Sequence, residues 1–336
     1  MSPVFGALFS HKFNEKLGVG AGYYVSGGTN AEYKSVDFSG VKSAFDEVKP
    51  DVIAKLAVTE FSLGAGYKIN ENFNLGLSWR AVFIDAQFGS SKVTNVTALG
   101  GPAVLTSLQL KDLKDKNYTG FKLGAQYTSS DKKWGVGASF RNSIKIVAEG
   151  NVTATAESIN AATGVPTTAT ALTTSGNAKI INRFPWNFHF DTYYQVQPVV
   201  KLLAGLTYTK YSENGTLVID GSANGSKITN VNQQWKDQYN YRIASEVNCM
   251  KNIPIFFGYI LTTQVTSSDY ARATFASPGK GHTFTLGSGY ELENMQFLIG
   301  YEHSQASGSA TDTDNGIKGK YNSTGNTINT TFKLMF

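Results

Sequence analysis

Apolar and polar side chains alternate with a period of two along most of this chain, the spacing at which residues fall on one face of a β-strand. Between 119 and 127, Phe121, Leu123, Ala125 and Tyr127 share one face, while Gly120, Lys122, Gly124 and Gln126 share the other. The next segment repeats the pattern, with Trp134, Val136, Ala138 and Phe140 opposed to Gly135, Gly137, Ser139 and Arg141. The same alternation recurs at 17–25, 61–69, 73–81, 202–208, 284–290, 297–303 and 328–336. One face is apolar and the other is small or charged.

The connections alternate too. Short turns fall at Asn14-Glu15-Lys16, Asn70-Glu71-Asn72, Asp131-Lys132-Lys133, Gln197-Pro198, Met250-Lys251-Asn252 and Glu293-Asn294. Between them lie long polar stretches at about 29–54, 89–117, 149–178, 213–234, 266–281 and 306–324. The pattern predicts an all-β protein, a transmembrane antiparallel β-barrel of about 13–14 strands with short periplasmic turns and long extracellular loops. It reads as a single domain over residues 1–336.

Phe13, Tyr67, Phe73, Tyr127, Trp134, Tyr194, Tyr290 and Phe297 all lie within a few residues of a short turn. In a soluble sandwich they would be ordinary β-formers. Their concentration beside the turns favours a girdle at the periplasmic membrane interface. Counting turns and loops also sets an orientation. The first strand, about 4–13, and the last both run towards the periplasm, whereas barrels of this class have an even strand number. One further strand, running outward, is therefore expected before Met1.

Composition supports this picture. Charged residues make up 16% of the chain, below the roughly 25% of soluble domains, and the longest apolar run, Ile253 to Leu261, is strand-sized. One cysteine, Cys249, permits no intramolecular disulfide. The net charge of +5 is scattered rather than blocked, which argues against nucleic acid as a partner. No charged and apolar leader is visible at the start, so an export signal is expected to have been removed or omitted.

Several stretches resemble the outer-membrane long-chain fatty-acid and hydrophobic-compound transporters of the FadL type. They are Gly120–Ala125 followed by Trp134–Lys145 and Glu149-Gly150-Asn151, then Phe184-Pro185, Trp235–Arg242 and Ser277-Pro278-Gly279, in order over nearly the whole chain. The family's N-terminal hatch is not visible. The resemblance implies passive uptake in the bacterial outer membrane: capture in outer loops, binding in the lumen and lateral release. It also implies a monomer in contact with outer-membrane lipids, with a long-chain fatty acid or other hydrophobic ligand as partner. The terminal Phe336 looks like the signal read by barrel-assembly machinery.

Candidate binding residues follow. Leu105, Leu108 and Leu113, with neighbouring lysines, have the spacing of a short amphipathic helix, and the resemblance makes them a capture surface; packing within the loop is the plainer role. Arg141, Lys145 and Arg242 are placed on the lumen face, where a guanidinium could hold a carboxylate; pairing with Asp191, Glu246 or Glu302 is the alternative. Gly64 and Gly66 could mark a strand kink that opens the wall laterally. An enzyme is not expected: His11, His189, His282 and His303 are isolated and no Gly-x-Ser-x-Gly elbow occurs. No cofactor or metal is expected, since Asp312–Gly316 lacks the glycine and glutamate spacing of an EF-hand. A structural or adhesive surface barrel and a general diffusion porin stand as alternative functions.

Overall fold

The structure is a computed structural model of the chain and describes residues 4–34, 52–95, 103–160, 167, 171–223, 226–227, 231–271, 278–311 and 318–335. Alternating sequence becomes antiparallel strand. In chain order these are β1 (Gly6–Lys12), β2 (Leu17–Tyr33), β3 (Val52–Lys68), β4 (Phe73–Asn95), β5 (Ala103–Thr128), β6 (Trp134–Arg141), β7 (Ile144–Ile159), β8 (Leu172–Phe184) and β9 (Asn187–Gln197). They continue as β10 (Val200–Thr209), β11 (Thr216–Ala223), β12 (Ser226–Lys227), β13 (Val231–Asn232), β14 (Gln238–Met250), β15 (Ile253–Thr262), β16 (Gly279–Glu291), β17 (Met295–Thr311) and β18 (Lys318–Leu334).

Thirteen of these, β1 to β6, β9, β10 and β14 to β18, form one antiparallel meander in which each strand pairs with the next. Among the described residues β1 pairs only with β2 and β18 only with β17. Directly opposed residues share a face, so the ladders sort every side chain. The outward face carries Leu63, Leu77, Leu123, Ile243 and Phe257, each more than a third exposed. An apolar belt this continuous needs lipid rather than water. Phe13, Tyr67, Trp134, Tyr194, Tyr290 and Phe297 are exposed at its turn-side margin.

The remaining strands extend the sheet on the side away from the short turns. β6 stops at Arg141 and, after Asn142 and Ser143, the chain resumes as β7, which pairs with the outer half of β5. β8 returns beside β7, breaks at Pro185 and Trp186, and continues as β9. Proline cannot donate to a ladder, which places the second break. At the first, the Asn142 side chain substitutes for backbone: Phe121 N donates to Asn142 Oδ1 at 2.7 Å and Asn142 Nδ2 donates to Thr119 O at 3.1 Å.

Two expectations are corrected here. The stretches 89–117 and 149–178 are largely strand rather than polar loop, because β4, β5, β7 and β8 run on past the membrane. The leucine spacing is not helical either. Leu108 and Leu110 alternate on one face of β5, then a register shift between Lys111 and Lys114, with Asp112 at φ 53°, brings Leu113 to that same face. A bulged strand thus imitates a helix period. Above the membrane the inward faces close on an apolar core of Val58, Val82, Ile84, Leu110, Leu113, Ile144, Val152 and Ile180, with Leu108 packed against it.

Candidate functional site

Directly beneath that core, the lumen face of β3 to β6 carries charge. Glu60 is fully buried. Two short turns put Ser62 opposite Arg80 and Lys122 opposite Arg141, and the β4–β5 ladder puts Ser78 opposite Lys122. Arg80 Nη2 donates to Glu60 Oε2 at 2.6 Å and Lys122 Nζ to Glu60 Oε1 at 2.8 Å. Ser62 Oγ donates to the same oxygen at 2.9 Å, as does the Tyr24 hydroxyl, and Lys122 also reaches Tyr24 Oη at 2.6 Å.

Glu60 therefore meets two cations directly, with Arg141 standing opposite Lys122 as a third nearby. Arg80 is 1% exposed, and among the described residues its Nε and Nη1 have no hydrogen-bond partner. Arg141 stacks its guanidinium 5.3 Å from the Phe184 ring, and its buried Nε likewise has no partner among the described residues. Unsatisfied buried donors are costly. Unfilled donors on net-positive groups are able to accept an anion, and the planar guanidinium matches a carboxylate in geometry. On the side of the node facing the short turns, a cavity of about 610 Å³ is lined by Ser10, Gly20, Gly64, Ser78, Lys122 and Ser139.

The expected site residues separate in the structure. Arg141 belongs to the node. Arg242 faces the lumen but is engaged: Nη2 donates to Asp191 Oδ1 at 2.7 Å and Nη1 to Thr207 Oγ1 at 2.6 Å. This bridge crosses β10 over Gly205, where a Cβ would lie 2.1 Å from the Asp191 oxygen. Lys145, expected on the lumen face, points outward: the break at Asn142 and Ser143 flips the alternation, so Ile144 is buried inside and Lys145 is exposed. Leu105 and Leu113 are fully buried, and Leu108 is half-buried. The ladders pass Gly64 and Gly66 without a register shift, and Gly64 faces Gly20 and Ser78, so small residues line the lumen at this level. Phe336 and Asp312–Gly316 lie outside the described residues. Glu60 and Arg80 as a bound pair escaped sequence reasoning, although the single turn between β3 and β4 sets their alignment.

A short strap closes over the outer end of β10. A 3₁₀ turn at Tyr211–Asn214 is tied down on all sides. Lys210 N donates to Trp186 O at 3.1 Å, Ser143 Oγ to Glu213 Oε2 at 2.7 Å, and Asn214 exchanges two hydrogen bonds with the Arg183 backbone. Asp237 anchors it, accepting from Tyr208 Oη at 2.6 Å, Lys210 Nζ at 2.9 Å and Ser212 N at 3.0 Å. Burial works to raise the Asp237 carboxyl, but these donors outweigh it and hold the group well below the usual carboxylate range. A depressed folded value stabilises the strap above the unfolded value of about 3.9 and loses that contribution as pH falls through the folded value. Amide-exchange protection across Tyr208–Gly215 should therefore hold steady from neutral pH to about pH 5 and weaken below about pH 4. Asp237→Asn should remove this acid dependence; an unchanged acid profile in that variant would assign it to another group.

The curved meander, its lipid-facing belt and its charged lumen define an outer-membrane β-barrel. Residues 3–336 match the family model described as outer membrane protein transport protein (OMPP1/FadL/TodX), and the chain belongs to that family. Its fold is similar to the Pseudomonas putida toluene transporter TodX (TM-score 0.74, 15% identity, covering 99% of this chain and 87% of that one). It is also similar to a Pseudomonas aeruginosa FadL homologue (TM-score 0.72, 13% identity, covering 97% and 75%) and to the monoaromatic hydrocarbon channel CymD (TM-score 0.69, 14% identity, covering 99% and 86%). Comparison of the sequence with curated proteins gives no match. The protein is thus a transport barrel of the bacterial outer membrane and not an enzyme.

Proposed function

We propose that this barrel takes up long-chain fatty acids, or hydrophobic molecules with an anionic head, passively across the outer membrane. The observation that carries this is the pair of buried guanidiniums of Arg80 and Arg141 beside Lys122, partly unpartnered among the described residues, with Glu60 bound to Arg80 and Lys122. Similarity to a FadL homologue and to toluene and monoaromatic channels supports a hydrophobic cargo. A carboxylate head would complete the donors of Arg80 and Arg141 while its tail lies along the glycine-lined wall. Capture falls to the outer extension, where Leu105, Leu108 and Leu113 act by packing the structure that presents the ligand. Lateral release at Gly64 and Gly66 would require their regular ladders to part.

The test compares oleate with hexadecane on the protein in lipid nanodiscs. Arg141→Ala should weaken oleate binding by on the order of 10- to 100-fold, the scale of one charge-assisted hydrogen bond, and leave hexadecane within about two-fold. Arg242→Ala should matter less, because that guanidinium is already spent on Asp191 and Thr207. Equal losses for both ligands would remove the headgroup role. A large steady ionic conductance in planar bilayers would instead favour a diffusion porin.

A further inference from the structure

The outward surface of the same strands holds a second group of cations that the lumen does not use. An upper aromatic belt marks the outer membrane interface. Ring centroids follow one another from Phe121 to Phe140 (6.1 Å), Trp186 (5.9 Å), Tyr208 (5.0 Å) and Tyr239 (5.1 Å). Trp79 stacks on Tyr118 and donates its indole N–H to Tyr118 O at 2.7 Å. Along β5, the path from Tyr127 in the lower belt to Tyr118 spans roughly 23 Å of membrane at normal strand rise and tilt, close to the apolar band of about 25 Å in such barrels. Amphipathic rings at both margins locate the headgroups.

Lys116, Lys145 and Arg183 lie just beyond this upper belt, on the outward face, and all three are exposed. Lys116 is two residues outside Tyr118 on β5. Lys145 is tied to the same level of β5, since Asn117 Nδ2 donates to its carbonyl at 2.9 Å. Arg183 stands directly opposite Lys145 in the β7–β8 ladder. Like charges in that position repel. None of the three makes an ion pair among the described residues. The neighbouring acids are already engaged: Glu149 with Lys179, Asp115 with the N–H groups of Lys116 and Val147, and Glu213 with the Ser143 hydroxyl. Lys114 is excluded from the group because it lies between Asp85 and Glu149 on adjoining strands.

We infer that Lys116, Lys145 and Arg183 form a docking surface for a phosphorylated glycolipid of the outer leaflet. Its acyl chains would lie against the apolar belt below and its phosphate would bridge the opposed Lys145 and Arg183. An anion placed there turns their repulsion into attraction, and flexible stems let both heads reach it. The surface is independent of the lumen ligand, because it lies on the opposite face of the sheet.

The test is native mass spectrometry of the folded full chain in neutral detergent, titrated with bis-phosphorylated hexa-acyl lipid A. The K116Q/K145Q/R183Q variant should bind it about 100-fold more weakly, near five-fold per cation removed. The dephosphorylated lipid should bind the original protein as weakly as the variant binds the phosphorylated one. A control set at the periplasmic turns, K68Q/K132Q/K133Q, should change lipid A affinity less than two-fold. Equal affinity of the original protein and the first variant would overturn the assignment, as would an equal loss in the turn-side control. Resistance to gel-shift unfolding before heating verifies that each variant has folded. Inorganic phosphate competing as well as lipid A would overturn a lipid surface and leave a simple anion patch.

Discussion

Glu60→Ala is expected to cost about 3–5 kcal/mol in reversible urea unfolding from lipid vesicles, the scale of breaking a buried ion pair from one side. The carboxylate is the hub of the lumen node: it holds Arg80, Lys122, Tyr24 and Ser62 at once. Removing it leaves Arg80, 1% exposed, without its counter-ion, with Lys122 and Arg141 close by. The penalty is therefore the stranded charge more than the lost contacts. Glu60→Gln keeps the shape and one acceptor and should still lose much of the stability, because the charge is what balances the cations. The double change Glu60→Leu with Arg80→Met, which removes both charges and keeps volume, should recover most of it. If Glu60→Ala cost less than about 1 kcal/mol, water would be reaching the node freely and the buried description would fail.

The second large effect concerns Leu113, which is fully enclosed in the apolar core outside the node. Leu113→Ala should destabilise by about 2–5 kcal/mol, the range for truncating a buried leucine. Ligand association rate should stay within about two-fold at a temperature where the variant is folded. The reverse result, intact stability with slowed association, would restore the leucines as a contact surface for arriving ligand. Stopped-flow mixing of a fluorescent fatty acid with the variant and the original protein separates the two outcomes.

Much of this architecture can be read from residue order. Strict alternation in 119–127 and 134–141 marks β5 and β6, and turn residues at Asn70–Asn72 and Asp131–Lys133 fix hairpins whose registers then follow by counting. That counting brings Ser62 to Arg80 and Lys122 to Arg141, but the β4–β5 ladder that sets Ser78 opposite Lys122 turns at the outer end and carries two register shifts. The hub is not legible in the sequence because its partners come from four strands, β2 to β5, and no local pattern signals a long-range ion cluster. Lys145 was misplaced for a different reason. Asn142-Ser143 carries no glycine or proline, so nothing in the sequence warns that the alternation flips there. The β5 bulge at Asp112 hides in the same way, since a left-handed aspartate leaves the leucine spacing looking helical.

The two strand breaks, at Asn142-Ser143 and at Pro185-Trp186, sit side by side at one height, where Arg141 pairs with Asn187 below and Ile144 with Phe184 above. Register is a property handed from residue to residue, and here the handover is interrupted on both strands together. The hairpin of β7 and β8 is consequently a module seated on the barrel rather than a continuation of its threading. A change in its length would leave the β5–β6 and β6–β9 registers below the breaks in place, so the part facing the environment is uncoupled from the pairing of the transport wall.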